Sequence, residues 1–328
     1  MEIPRATRGK SILVDLNDIE SSSGPYSMSF GFELEPYMKS IQKIGLIHTP
    51  LVKRNGAGGI DIIIGYRRIM ALKSLHWKKV PCVDQSDAGL SPREVLLLNL
   101  YDNLTTRVFN EVEKGMILHR LMCHFSAKEV LADYMPLLHL PSHSATLDLF
   151  LKLDTLEITL KNAIVNGTLS LKVAGILFEI DPESRASILK LILNLKFNFN
   201  QQLQLAEYIT DLSIKDDISI SEYLSEKKFL KIIKDKKRNN PQKVKLILDI
   251  LRARRFPLLT RSERTFNKRI SNLDLPIGVK IKHPPFFEAP DYRLEILFRS
   301  GKELKEKIDS LSQTDGLTKI GDPWIKAP

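Results

Sequence analysis

Gly65, Tyr66, Arg67 and Arg68 stand where an apolar run, Ile60-Asp-Ile-Ile-Ile64, gives way to helical spacing from Tyr66 to Leu75. A glycine at such a junction lets a ligand approach the backbone closely. The unpaired N–H groups of a helix start attract anions, and two arginines add charge-assisted contacts. These residue types in this order describe a phosphate cradle. The same four residues also suit a merely exposed helix start, so the surrounding elements must decide between the two.

A second candidate surface is electrostatic. The 328 residues carry a net charge of +10, and residues 226–270 hold 16 Lys/Arg against 4 Asp/Glu. The rest of the chain has 33 basic and 35 acidic residues, so one segment carries the whole excess. Such a concentration suits a polyanion-binding surface, most often nucleic acid. A solvated basic face without a partner is the competing reading. Within it Arg252, Arg254, Arg255 and Arg261 surround Phe256 and Phe266, two aromatics that suit either backbone contact or a core.

Other reactive types offer less. Cys82 and Cys123 are too few for a disulfide framework, and both sit in apolar stretches that suit buried, reduced thiols. His119, Cys123 and His124 have helical spacing, and His139 and His143 flank Pro141, but no second cluster with metal-ligand spacing accompanies them. A zinc-type site is not expected. Hydrophobic content of 43% and charged content of 27% are those of an ordinary globular protein, long enough for two or three domains. No apolar run approaches the roughly 18 residues needed to cross a bilayer. Met1 to Lys10 lacks the apolar core of a signal peptide, and the cytoplasm is the expected location.

The elements that must position these residues are legible from periodicity. Ser11–Leu16 is a first strand, followed by a Ser/Gly-rich loop through Phe30 and a helix over Glu33–Ile44 ended by Gly45. Pro50–Arg54 and Ile60–Ile64 make a hairpin-like pair around the Gly56–Gly59 turn, and Val80–Val83 is another strand. From Ser91 the pattern becomes helical. Ser91-Pro-Arg-Glu94, Asn110-Glu-Val-Glu113 and Ser126-Ala-Lys-Glu129 all have capping-box spacing. Further helices fit 154–166, 170–179, 184–195, 200–212, 221–235 and 242–253. Val279–Lys282 and Tyr292–Phe298 alternate with period two around His283-Pro-Pro-Phe286, a helix follows over 301–311, and 312–328 reads as a loosely held tail. The expected fold class is α+β, in three parts: a mixed α/β head (1–90), an all-helical middle (91–215), and a basic helical segment with a small β-hairpin and helix (216–328).

The order of motifs resembles the ParB family. Ser40-Ile-Gln-Lys-Ile-Gly45-Leu-Ile-His-Thr-Pro50-Leu-Val52, then Gly65-Tyr-Arg-Arg68 with Ala71, Val80-Pro81, Asp102-Asn103 and Asn110-x-x-Glu113 follow the pattern of its N-terminal domain. Ser126–Val130 and Asn166-Gly-Thr-Leu-Ser170 follow that of its helix-turn-helix, and the resemblance covers about residues 10 to 212. It implies a ParB/sulfiredoxin-type N-terminal domain that binds a nucleotide, typically CTP with Mg²⁺, and a dimer that clamps DNA. Carried over by position, Gly65, Tyr66, Arg67, Arg68 and Asn103 would lie at the nucleotide, with Asp102 and Asn103 as metal ligands. Two departures stand out. The family's glutamate inside G-E-R-R, linked to hydrolysis, is Tyr66, and its E-N-x-x-R arginine falls on Thr106 with Arg107 one step late. Any CTPase activity is therefore expected to be weak or absent.

The resemblance also makes Ser126–Met135 the first helix of the helix-turn-helix and places Ser142, His143, Ser144 and Thr146 at the start of the second. With Ser126, these short polar groups suit phosphates or base edges. A packed helical bundle without DNA readout fits the same residues. The C-terminal third departs from the family, since residues 271–328 show no heptads. Chromosome or plasmid partitioning or related regulation is the implied role, nucleoid-associated, with DNA, a second copy of the chain and a partition ATPase as partners. The competing class is an enzyme on the same N-terminal fold. A sulfiredoxin would need a cysteine after Gly65, where Tyr66 stands, and a nuclease would need more carboxylates than Asp102, Glu111 and Glu113.

Overall fold

The computed structural model describes residues 9–20, 23–56, 58–289 and 291–321. Met1–Arg8, part of the Gly56–Gly59 turn and the last seven residues, on which some sequence expectations fell, lie outside them. The chain divides into two compact units, Met1–Asp181 and Pro182–Pro328.

The first unit opens with a four-stranded sheet. Its strands are β1 (Lys10–Asp15), β2 (Leu51–Arg54), β3 (Ile60–Ile64) and β4 (Lys79–Asp84), in the order β1-β4-β2-β3. β1 pairs antiparallel with β4, β4 parallel with β2, and β2 antiparallel with β3. Helices α1 (Glu35–Ile44) and α2 (Tyr66–Ser74) pack on each other and close the core, in which Val14, Val52, Ile62, Ile69, Leu72, Val80 and Cys82 are buried. The apolar periodicity of both helices was visible in the sequence, and Gly45 ends α1 with its N–H on Ile41 O.

The helical part of this unit comprises α3 (Pro92–Thr106), α4 (Glu111–Met122), α5 (Ala127–Glu129), α6 (Ser144–Thr155), α7 (Ile158–Val165) and α8 (Leu171–Leu177). All three expected capping boxes form, at Ser91/Glu94, Asn110/Glu113 and Ser126/Glu129. α4 and α6 lie close: a Cβ on Gly115 would meet Phe150 O at 2.6 Å. Three expectations need correction. Residues 154–166 are not one helix, because Leu156 is extended and buried, separating α6 from α7. Ser126–Met135 is not one α-helix, because α5 passes after one turn into a π turn over Val130–Tyr134 and a 3₁₀ turn over Pro136–Leu138. Cys123 is exposed rather than buried, since it caps the C-terminus of α4, whereas Cys82 faces the sheet core, where burial pushes its thiol up to about 11.

The second unit contains α9 (Pro182–Leu195), α10 (Phe199–Asp216), α11 (Ile220–Leu224), α12 (Lys227–Lys234), α13 (Asn240–Arg255) and α14 (Pro257–Ser271). The expected helix 221–235 is broken at Ser225–Glu226. α14 was not expected. Its polar, basic face masks the few apolar positions, Leu259 and Phe266, that anchor it. Beyond it β5 (Val279–Lys282) and β6 (Arg293–Ile296) form an antiparallel hairpin, followed by α15 (Gly301–Ser312). Phe266 stacks on Tyr292 (ring centroids 5.4 Å apart, planes 4° apart), so it is core rather than a nucleic-acid contact. The stretch after α15 is held as far as Gly321: Ile320 packs on this cluster and Tyr292 Oη donates to Gly321 O at 3.0 Å.

Candidate functional site

The strand-to-helix junction is built as the residue types require. Gly65 caps α2 with φ +97°, a left-handed conformation that L side chains avoid, and its place against Pro50 leaves a Cβ only 3.1 Å from Pro50 Cβ. The first N–H groups of α2 therefore open on a cavity of about 150 Å³. Gly65, Tyr66, Arg67 and Arg68 line it from α2, and Asp102, Asn103 and Arg107 line it from the end of α3. Residues 34 or more apart in sequence thus meet in one site.

The loop before α1 supplies the third wall through Ser27, Met28 and Ser29, which the sequence had not singled out. Ser27 is 1% exposed, and its Oγ has no hydrogen-bond partner among the described residues. A buried hydroxyl without a partner costs free energy unless something fills the cavity beside it. A loop serine carries no periodic signal, so this residue could not be read from the sequence.

The charges are arranged around one carboxylate. Glu113, with 1% of its side chain exposed, accepts Arg67 NH2 at 2.6 Å on Oε1 and Arg107 NH1 at 2.6 Å on Oε2. It also accepts the Phe30 N–H at 3.1 Å and, as the capping-box glutamate, the Asn110 N–H at 3.1 Å. Arg107 further donates to Met28 O (2.6 Å), Ser29 Oγ (3.2 Å) and Asn103 Oδ1 (2.7 Å). Burial lowers its guanidinium from the ordinary value, opposed by Glu113. Arg68 is bound more lightly: NH1 donates to His48 O at 3.2 Å, and no carboxylate pairs with it among the described residues. The spacing N-x-x-E marked Glu113 as a cap. Its arginine partners lie on other elements and had no local signature.

Metal fit divides the two expected ligands. Asp102 lines the cavity and its carboxylate holds no ion pair among the described residues, so it is suited to a hard cation. Asn103 is committed: Oδ1 receives Arg107 and Nδ2 donates to Asn99 O at 2.8 Å. Among the described residues no three His, Cys, Asp or Glu side chains gather as a metal-binding group. Tyr66 packs edge-on against Phe32 at 6.0 Å between centroids, and burial raises its phenol above the ordinary value.

The expected DNA contacts are distributed over both units. Ser142, His143 and Ser144 are exposed at the N-terminal end of α6, with His143 at the N-cap and making no side-chain cap bond, and Thr146 is half-buried. Ser126 Oγ is engaged in its capping box. In the second unit three of the four expected arginines are paired. Arg252 holds Glu263 through two bonds (2.7 and 2.6 Å), Arg254 holds Glu226 likewise, and Arg255 pairs with Asp211. Arg254 also lies over the Tyr223 ring at 4.9 Å. Arg261 is exposed. Lys227, Lys228, Lys231 and Lys234 on α12 are exposed and hold no ion pair among the described residues.

No family model matches the chain. It is 28% identical over 181 residues to a probable chromosome-partitioning protein ParB of Chlamydia muridarum, covering 54% of this chain and 62% of that protein. It is 26% identical over 102 residues to a nucleoid occlusion protein of Lysinibacillus sphaericus (31% and 33% covered), and 25% identical over 171 residues to one of Geobacillus sp. (52% and 58%). The chain thus spans between about a third and three fifths of the length of these relatives. Two solved structures that it is similar to are the C-terminally truncated ParB of Caulobacter crescentus complexed to the centromeric parS site and a Pnob8-like ParB-N domain. Both are 16% identical, with TM-scores of 0.32 and 0.33, covering 60% and 74% of this chain and 98% and 97% of theirs. The Caulobacter protein complexed with CTP-γ-S aligns with a TM-score of 0.27 at 19% identity, over 56% of this chain and 99% of that one. The chain is thus similar to ParB and nucleoid occlusion proteins over at most about half of its length, and it joins a mixed α/β head to a helical body. Its relatives carry two names, chromosome-partitioning ParB and nucleoid occlusion protein, at nearly equal identity.

Proposed function

We propose that the first unit binds a nucleoside triphosphate, CTP by the family resemblance, and that the chain is a DNA-binding protein of the partitioning and nucleoid-occlusion type. The observation that carries the nucleotide reading is the single cavity in which the α2 N-terminus, Arg68, Asp102 and the partnerless Ser27 hydroxyl converge. Phosphate oxygens would sit on the first N–H groups of α2 and on Arg68, where the helix dipole and a charge-assisted bond both favour negative charge. Asp102 would hold Mg²⁺ together with the ligand's own oxygens, as Mg²⁺ prefers, and the ion would neutralise phosphate charge. Asn103 would join only after Arg107 released it.

Turnover would be slow. Hydrolysis needs a group that orients or deprotonates water. Tyr66 stays protonated at neutral pH, Glu113 is engaged by two guanidiniums, and Glu111 pairs with Lys114 at 3.0 Å. The nucleotide would act as a binding-controlled switch, reset by dissociation. DNA would be met at the exposed start of α6 and along the lysines of α12, by a dimer and with a partition ATPase as the family's further partner. Support for the DNA reading comes from the relatives' names and from the polar, unpaired start of α6. Calorimetry of the full chain with CTP, ATP, GTP and UTP in the presence of Mg²⁺ tests the site. Binding of CTP that is lost in Arg68→Ala and weakened in Ser27→Ala is the expected result, and no binding of any of the four overturns it.

A further inference from the structure

A second cavity in the first unit, of about 530 Å³, is lined by the other residues of the same loop, Ser23, Pro25 and Phe30, and by the C-terminal half of α4. Its polar wall holds Arg120, Lys161, His119, His124 and one carboxylate, Asp154. Asp154 is already spent. His119 Nδ1 lies 2.7 Å from Oδ2, while Lys161 Nζ donates to Asp154 O at 2.5 Å and approaches Oδ1 at 3.4 Å.

Arg120 is left without a paired counter-charge. Its Nε donates to Pro25 O (3.0 Å), NH2 to Gly24 O (3.0 Å) and NH1 to Met116 O (3.3 Å), all neutral carbonyls. Among the described residues no carboxylate lies within ion-pair range of it, and a guanidinium has five N–H groups, so donors remain. Burial opposes its charge, and Asp154 offsets this only from a distance. A partly desolvated cation is normally paired, and one held only by carbonyls beside a cavity lacks the partner that would offset its desolvation.

We propose that this cavity is a second ligand site, for a small soluble phosphate-bearing anion held by Arg120 and Lys161, with His124 at its rim and Phe30 and Met116 as the apolar wall. Arginine and lysine together suit a phosphate, the first through its planar fork and the second as a mobile point charge. The site is separate from the cradle at Gly65, and its occupancy does not depend on the nucleotide reading.

The test uses the full chain and inorganic phosphate as the probe, with the His119 and His124 ring signals followed by NMR at constant ionic strength. Saturable shifts are expected, weakened about tenfold by Lys161→Gln and by Arg120→Gln, the loss of one charge-assisted bond each. Arg68→Ala should leave them unchanged. Because Arg120→Gln also frees the loop at Gly24 and Pro25, Arg120→Lys is the companion variant and should bind between Arg120→Gln and the unmodified chain. No saturable shift, or an affinity left unchanged by both Lys161→Gln and Arg120→Gln, overturns the proposal. So does loss of the shifts in Arg68→Ala, which would place the anion in the first cavity, and so does displacement of phosphate by a short DNA duplex, which would make the ligand a nucleic acid.

Discussion

Arg67 and Glu113 meet through a 2.6 Å bond between side chains 46 residues apart, and the same carboxylate caps α4. The bond ties the start of α2 to α4, the helix that packs against α6. On the proposed function, a phosphate entering the cavity would compete with Glu113 for Arg67 and Arg107. Glu113→Gln removes that competitor while leaving two half-buried guanidiniums without this counter-charge. Denaturant unfolding should show a loss of about 3 kcal/mol, while triphosphate affinity rises. A variant that loses stability and affinity together would show that Glu113 positions the arginines rather than competing with the ligand.

The two cradle arginines should separate. Arg68→Ala removes a guanidinium held, among the described residues, only by His48 O, so the fold should survive and triphosphate binding should fall about tenfold or more. Arg67→Ala breaks an ion pair with a buried carboxylate, so its main effect should be on the unfolding midpoint. Calorimetry and thermal melts on both variants decide this, and equal loss of stability in the two would contradict the assignment.

Tyr66 should govern turnover rather than binding. With its phenol pushed above the ordinary value of 10.0 by burial, it is protonated across the neutral range and cannot accept a proton from water. Tyr66→Glu should raise phosphate release from CTP while affinity changes little. Unchanged release in a variant that still binds would remove this residue from the account.

The basic segment sorts its arginines from its lysines. Replacing Lys227, Lys228, Lys231 and Lys234 by Gln should flatten the salt dependence of DNA binding, by about 0.9 in log–log slope for each phosphate no longer neutralised, with the melting curve unmoved. Replacing Arg252 and Arg254 should instead destabilise the second unit. An undiminished salt slope in the lysine variant would place the phosphate-binding groups elsewhere.

Acid should loosen those arginine pairs. Hydrogen bonds from Arg254 and Arg252 hold Glu226 and Glu263 below their ordinary value of 4.5, so each contributes stability that is complete above that pH. The contribution fades as pH falls through the lower folded values. Urea midpoints of the full chain between pH 7 and 3 should drop on this limb, less steeply when both glutamates are Gln.

The close packing of α4 on α6 gives a last prediction. Gly115→Ala places a methyl 2.6 Å from Phe150 O, a backbone atom that moves only with its helix. Overpacking of this kind costs about 2 kcal/mol, readable in a chevron or melt. A neutral variant would mean that α6 shifts freely.

Local chemistry was legible along the chain because it depends on neighbours in sequence. The strand-to-helix glycine, three capping boxes, Gly45 and the β5 boundaries follow from spacings of a few residues. The order of motifs from Ser40 to Ser170 carried the resemblance to ParB proteins, since order is a property of sequence. What only the tertiary structure decided is which charges meet. Glu113 reads as a cap, and nothing near it announces two arginines arriving from α2 and α3. The arginines of the basic segment read as a free surface, yet three of them are held by Asp211, Glu226 and Glu263 from other helices. Ser27 and the second cavity were invisible for the same reason. Pairing and burial of side chains depend on distances across the fold, and those distances leave no period in the sequence.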